Sequence, residues 1–148
     1  LPESLWDLYC GVGGFALAAA RAGFPRVTGV EVSSGAISSA ISAARHAGLS
    51  RAAATFIADD ATAWARAQSP EDVPDVIVVN PPRRGIGADL ATYLNECGAP
   101  RVIYSSCNPA SLATDLAAMP TLRPIEGRIF DMFPHTTHAE VALLLERA

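Results

Sequence analysis

The stretch Leu5-Trp6-Asp7-Leu8-Tyr9-Cys10-Gly11-Val12-Gly13-Gly14-Phe15-Ala16 decides how the rest of the chain is read. Leu5–Tyr9 is a short apolar run of strand length. Cys10–Phe15 is a glycine-rich turn, and Ala16–Ala22 reads as a helix closed by Gly23. A strand that passes through a tight glycine turn into a helix is the opening unit of an open α/β sheet. Glycines at Gly11 and Gly13 allow the turn to form without a Cβ clash, and allow a ligand to approach the backbone.

The same alternation continues outward. Arg26–Glu31 reads as a second strand ending in an acid, and Ser33 or Ser34 caps a helix that runs to His46 and stops at Gly48. Thr55–Ala58 is a third strand; Asp59-Asp60 then leads into a helix holding Trp64. Ser69–Pro74 is a turn cluster. Asp75–Asn80 is a continuous apolar strand, as expected for one buried on both faces. A helix over Ala88–Glu96 precedes a fifth strand, Arg101–Ser106. Asn108 is a good N-cap, Pro109 suits the first helical position, and Leu112, Leu116 and Met119 share one face before Pro120 stops the helix. Arg123–Phe130 and Ala139–Leu145 close the chain as two strands with no helix between them, which predicts an antiparallel end. The expectation is one α/β domain over residues 1–148, with a mostly parallel seven-stranded sheet and an antiparallel C-terminal strand.

Composition narrows the function. The chain has 148 residues, half of them hydrophobic, which suffices for a proper core and argues against disorder. No apolar run is long enough to span a membrane and no signal-peptide pattern is present, so no membrane partner is expected. Cys10, Cys97 and Cys107 are odd in number and widely spaced, with no C-x-x-C; this suits a reducing cytoplasm better than a disulfide framework or a zinc site. Every basic residue is Arg and the net charge is −4, a poor balance for general nucleic-acid binding unless a local basic patch or a further domain supplies phosphate contacts. The start at Leu1, almost directly before a strand, reads as a piece of a longer protein. A monomer is expected.

Gly11-Val12-Gly13-Gly14-Phe15-Ala16 satisfies G-x-G-x-x-G/A, and Glu31 lies 20 residues beyond Gly11, the spacing of an acid that holds ribose hydroxyls. An adenosine-containing cofactor is therefore expected. NAD would set its pyrophosphate on the helix N-terminus. S-adenosyl-L-methionine would instead set its methionine tail near the turn and Asp7, while Asp59-Asp60, Asp60 in particular, suits the adenine amino group. The glycines alone do not choose between these two.

Three further stretches lie at strand ends. Asn80 is followed by Pro81 and Pro82, which stiffen the backbone and leave the Asn80 amide and carbonyl facing outward. Arg83-Arg84 is a candidate local basic patch. Cys107 falls between a strand's carboxyl end and a helix's amino end, the edge where open α/β sheets bind ligands and where a helix dipole favours thiolate over thiol. Taken alone, a small buried cysteine is the commoner reading. His135, His138 and Glu140 invite a metal reading, but a Pro-containing loop carries the histidines and no metal is expected. Glu140, entering the last strand, can instead serve as a base.

Four stretches taken together resemble one family: Asp-Leu-Tyr-Cys-Gly-Val-Gly-Gly-Phe from Asp7, Asn-Pro-Pro-Arg-Arg-Gly-Ile-Gly from Asn80, Tyr-Ser-Ser-Cys-Asn-Pro from Tyr104, and Asp-Met-Phe-Pro-His-Thr-x-His-x-Glu from Asp131. They resemble the catalytic domain of the RNA uracil-C5 methyltransferases, and the Asn-Pro-Pro-Arg-Arg form is most similar to the branch acting on 23S ribosomal RNA. The resemblance implies a Rossmann-like methyltransferase sheet, S-adenosyl-L-methionine as donor, Cys107 as nucleophile and Glu140 as proton acceptor. It also implies that Tyr9, Glu31 and Asn80 belong to the cofactor site. By the same resemblance, a cofactor motif containing Gln, the RNA-binding region and the cysteines of an iron–sulfur cluster found in related enzymes would lie upstream. Many relatives carry Asp where Asn80 stands.

The chemistry makes the assignment intelligible. C5 of uracil is too weak a carbon nucleophile to attack a methyl sulfonium, whereas thiolate addition at C6 makes an enolate with negative charge at C5. Three rival readings remain at this level, two of them an NAD-dependent oxidoreductase, resting on the glycine turn and Glu31, and a non-catalytic RNA-binding module with the same fold. An Asn-Pro-Pro methyltransferase acting on an exocyclic amine is a third, although Arg83 stands where such enzymes prefer a base-stacking aromatic.

Overall fold

The computed structural model describes residues 1–130 and 140–148. Seven strands follow the order β3-β2-β1-β4-β5-β7-β6 in one sheet, and the chain divides into two compact units, Leu1–Val78 and Val79–Ala148. Among the described residues no helix is long and apolar enough to cross a membrane.

In the first unit, β1 (Ser4–Leu8), α1 (Gly14–Arg21), β2 (Arg26–Glu31), α2 (Ser34–His46), β3 (Ala54–Ala58) and α3 (Ala61–Ala67) alternate, followed by a short 3-10 turn at Pro70–Asp72 and β4 (Val76–Val79). β1 and β2 are parallel with Leu8 against Val30, and β2 and β3 are parallel with Glu31 against Ala58. The carboxyl ends of three strands are thereby level, so Tyr9–Gly13, Val32–Ser33 and Asp59–Asp60 all emerge at one edge. The core holds Leu5, Trp6, Leu8, Val27 and Val30 with the alanine-rich helix faces of Ala16 and Ala40, and Trp6 meets Trp64 edge-on at 4.8 Å between ring centroids. β1 stops one residue earlier than the sequence pattern suggests, because Tyr9 turns into the left-handed region at φ 62°. β4 is likewise shorter than Asp75–Asn80. The Asp75 carboxylate accepts the Glu3 and Ser4 N–H groups, at 2.7 and 3.3 Å, and so anchors the chain start.

In the second unit, α4 (Gly87–Glu96), β5 (Arg101–Ser106) and α5 (Pro109–Ala117) precede β6 (Leu122–Phe130) and β7 (Glu140–Arg147). β7 lies between β5 and β6 and runs antiparallel to both. The helixless last pair thus inserts its final strand into the sheet. Eight of the nine β6 residues are exposed, and a bulge at Pro124/Glu126 with Arg128 and Glu126 facing solvent suits an outer strand that must not recruit another. The far end of β7 is pinned by Arg147. Its guanidinium donates to the carbonyls of Leu94 (2.8 Å) and Asn95 (2.8 Å), orphan acceptors in the last turn of α4, and to that of Ala99 (3.0 Å) just beyond the helix. A pinned end matters because a one-residue slip of β7 would turn every side chain on it, Glu140 included, to the other face.

Candidate active site

At the strand-end edge of the first unit, Glu31 is held rigidly. One carboxylate oxygen accepts the Gly11 N–H at 3.3 Å and the other the Ser33 N–H at 2.8 Å. Each oxygen keeps a lone pair for a further donor. The acid predicted to hold ribose hydroxyls is thus joined directly to the glycine turn. Gly11 has φ +56°, and a Cβ there would meet nothing within 4 Å, so the space above it is open. Gly13 has a different reason to be glycine. At φ +91° it N-caps α1, and a Cβ would sit 3.0 Å from the Phe56 ring and 3.1 Å from the Ala40 Cβ. Tyr9 stands at the same turn with its left-handed backbone.

Asp60 is the N-cap of α3, its carboxylate accepting the Ala63 N–H at 2.8 Å, while Asp59 accepts the Asp60 N–H at 2.7 Å. Both carboxylates are exposed. Val32, which the sequence reading passed over, is 76 % exposed directly beside Glu31 and offers a flat apolar surface at the acid. An exposed Val following a strand-terminal acid is the signal that would have found it.

Asp7 is not available to an ammonium as expected. It has no solvent exposure, and one of its oxygens accepts the Ala16 N–H at 3.0 Å, capping α1 in place of the side chain that Gly13 lacks. The other oxygen has no partner. Burial pushes the Asp7 carboxyl up to about 7, against the opposing pull of the Ala16 hydrogen bond. A carboxyl whose pKa is raised on folding contributes stability that is complete below its unfolded value near 4 and is lost as pH rises through about 7. Between these limits wild-type stability should fall relative to Asp7→Asn by up to about 1.4 kcal/mol per pH unit. Urea unfolding at a series of pH values reads the difference, and parallel curves would show Asp7 to be ionised throughout.

Burial also pushes the Cys10 thiol up to about 12, helped by the Asp7 and Glu31 carboxylates, and burial raises Cys97 as well. Neither is a nucleophile near neutral pH.

In the second unit, Asn80 is half-buried and its side-chain amide has no hydrogen-bond partner among the described residues. The loop after it is tightly held. The Arg83 carbonyl accepts from Asn108 Nδ2 at 2.9 Å and from Ser111 Oγ at 2.8 Å, so the start of α5 grips the loop directly after the two prolines that follow Asn80. At Gly85, φ +82°, a Cβ would lie 2.4 Å from the Asp115 carboxylate, which accepts the Ile86 N–H at 2.9 Å and the Tyr104 hydroxyl. Asp115 and Tyr104 are buried, and together they tie this loop, β5 and α5 into one unit. The side chains of Arg83 and Arg84 stay exposed, and among the described residues neither has an ion-pair partner.

Cys107 is half-buried in the turn between β5 and α5. Ser106 Oγ accepts the Asn108 N–H and donates to the Asn108 carbonyl, both at 3.0 Å, and Asn108 Oδ1 caps Ala110 at 3.1 Å. This is the strand-to-helix joint that the sequence predicts, with the predicted cap. The β5–β7 pairing then supplies what sequence could not. Ser105 pairs with Ala142 and Ser106 with Val141, the last pair of the two strands, so Cys107 follows directly after the end of β5 at which β7 begins with Glu140. Ser105, two residues before Cys107, donates from Oγ to Glu140 Oε2 at 3.2 Å. His135 and His138 lie outside the described residues.

Comparison with known proteins gives this arrangement a class. The structure of Pyrococcus abyssi tRNA (uracil-54, C5)-methyltransferase, in complex with S-adenosyl-L-homocysteine, matches 98% of this chain and 34% of that one with a TM-score of 0.81 and 31% identity. The fold is that of the S-adenosylmethionine-dependent methyltransferases, Rossmann-like, as the strand alternation predicts. The family model of tRNA (uracil-5-)-methyltransferases matches residues 71–148, and that of RNA cap guanine-N2 methyltransferases matches residues 3–94. The second match ends before Cys107. The 23S rRNA (uracil(747)-C(5))-methyltransferase RlmC of Shewanella amazonensis is 49% identical over 144 residues, 97% of this chain and 37% of that protein. Its namesake in Halothiobacillus neapolitanus is 47% identical over 147 residues, 99% of this chain and 38% of that protein. The chain belongs to the tRNA (uracil-5-)-methyltransferase family. It spans a little over a third of the length of these curated relatives.

Proposed function

We propose that the protein carrying this chain transfers a methyl group from S-adenosyl-L-methionine to C5 of a uridine in 23S ribosomal RNA, with Cys107 as nucleophile and Glu140 as base. The observation that supports the reading is the β5–β7 pairing, which ends at Ser106 and Val141 and so brings the start of β7, where Glu140 accepts from Ser105, to the turn that carries Cys107. A thiol and a carboxylate so placed can act on neighbouring atoms of one planar ring. The names of the relatives, 23S rRNA (uracil(747)-C(5))-methyltransferases, favour ribosomal RNA as substrate.

The residues of the first unit fit the cofactor. Glu31 has lone pairs free beyond its two backbone bonds, Gly11 leaves open space, and Val32 offers an apolar surface for a purine. Gly13 and Tyr9 shape that turn, and Asp60 stands at the third strand end. When bound, S-adenosylmethionine supplies an electrophilic methyl group. The chain's own residues do the rest. The Cys107 thiolate adds to C6, forming an S–C bond and placing the ring electrons at C5. Once C5 carries the methyl group, Glu140 takes the C5 proton; the electrons of that C–H bond restore the C5–C6 double bond, and the S–C bond breaks with return of its pair to sulfur. Arg83 and Arg84, exposed and without an ion-pair partner among the described residues, are suited to phosphates of the RNA strand.

The test is 23S ribosomal RNA carrying tritium at C5 of uridine, incubated with the full-length protein. Release of tritium to water in step with methylation, dependent on S-adenosylmethionine and not on NAD, is the expected result. Methylation with full retention of tritium would exclude transfer to C5.

A further inference from the structure

We infer that Ser105 is a positioning residue for Glu140, holding the carboxylate by one oxygen so that the other takes the proton from C5. The inference rests on the reaction proposed above.

Ser105 is 8 % exposed and lies in β5 two residues before Cys107, while Glu140 is half-buried at the first position of β7. The Ser105 hydroxyl donates to Oε2 at 3.2 Å. Among the described residues no cation pairs with Glu140, and the Ser105 hydrogen bond restrains a side chain with three rotatable bonds. Oε2 takes the bond and Oε1 is left as the acceptor of the proton. After transfer the proton resides on Oε1 and Oε2 still accepts from Ser105, so Ser105 holds base and acid forms alike without moving. The neighbouring Ser106 has a different duty. Its hydroxyl is fully used by the Asn108 backbone in shaping the turn around Cys107, and strand alternation puts it on the opposite face. Two adjacent serines, indistinguishable in sequence, thus serve the base and the nucleophile respectively.

A positioning hydrogen bond to a base affects proton removal and leaves addition to C6 untouched, which separates this role from a structural one. In the full-length protein, Ser105→Ala is expected to lower kcat about tenfold with KM unchanged. It should also accumulate a covalent protein–RNA species on ordinary RNA, while trapping by 5-fluorouridine RNA proceeds at the wild-type rate. Ser105→Thr, which keeps the hydroxyl, should restore turnover. Wild-type kcat in Ser105→Ala overturns the inference, and so does a loss of trapping equal to the loss of turnover, which would place Ser105 in the fold or the thiol's attack. Absence of trapping in the wild type would instead overturn the underlying reaction.

Discussion

Replacing Cys107 with Ala should abolish methylation, with kcat reduced at least about 10³-fold because the only route to a nucleophilic C5 is lost. Single-turnover methylation of 23S ribosomal RNA by the full-length protein measures it. The fold should survive. The turn around Cys107 is built by Ser106 and Asn108, whose hydrogen bonds do not involve the thiol, and α5 keeps its cap. Neither remaining cysteine can substitute. Cys10 is buried with its thiol pushed up to about 12, and Cys97 is raised by burial in the same way. Activity in Cys107→Ala close to that of the wild type would mean that C5 is activated without this thiol.

Glu140→Gln should show the second large effect, of a different kind. The amide is close in shape to the carboxylate and can still accept from Ser105, so the β5–β7 register and the approach of RNA should be unchanged. Thiolate addition and methylation at C5 do not need the base; loss of the C5 proton does. Turnover should therefore fall by about 10² or more, the usual contribution of a positioned base, while a covalent protein–RNA species builds up on unmodified RNA. A denaturing gel resolves that species. Normal turnover with no adduct would remove Glu140 from the base's role.

The contrast between these two residues shows what can be read from the chain and what cannot. Cys107 is legible because its surroundings are local. A strand-forming Val102-Ile103-Tyr104, an N-capping Asn108 and a Pro109 at the first helical position place it at a strand–helix joint, and the structure ends β5 at Ser106 and caps α5 with Asn108. Glu31 and the glycine turn are legible for the same reason, a fixed spacing within one strand–helix–strand unit, here closed by the Glu31–Gly11 bond. The proposed partnership of Cys107 with Glu140 is not legible in local pattern. It depends on the register of β7 against a strand far back in the chain, with Ser105 and Glu140 35 residues apart in sequence. Non-local pairing has no local signature. Asp7 fails in another way: its carboxylate type is legible, but whether it faces ligand or core depends on packing, and α1, capped by a glycine, draws it inward. Gly13 shows that a cofactor-like motif can carry packing demands as well, since Phe56 and Ala40 leave no room for a Cβ.

The most direct measurement of the central claim, that Cys107 attacks the uracil ring opposite Glu140, uses 23S ribosomal RNA containing 5-fluorouridine with the full-length protein and S-adenosylmethionine. Fluorine at C5 cannot leave as a proton, so the reaction should halt after methylation. Mass spectrometry of the digested complex should then find the methylated fluorouridine joined to the peptide containing Cys107. No covalent species in the wild type, or one that persists in Cys107→Ala, would contradict the claim.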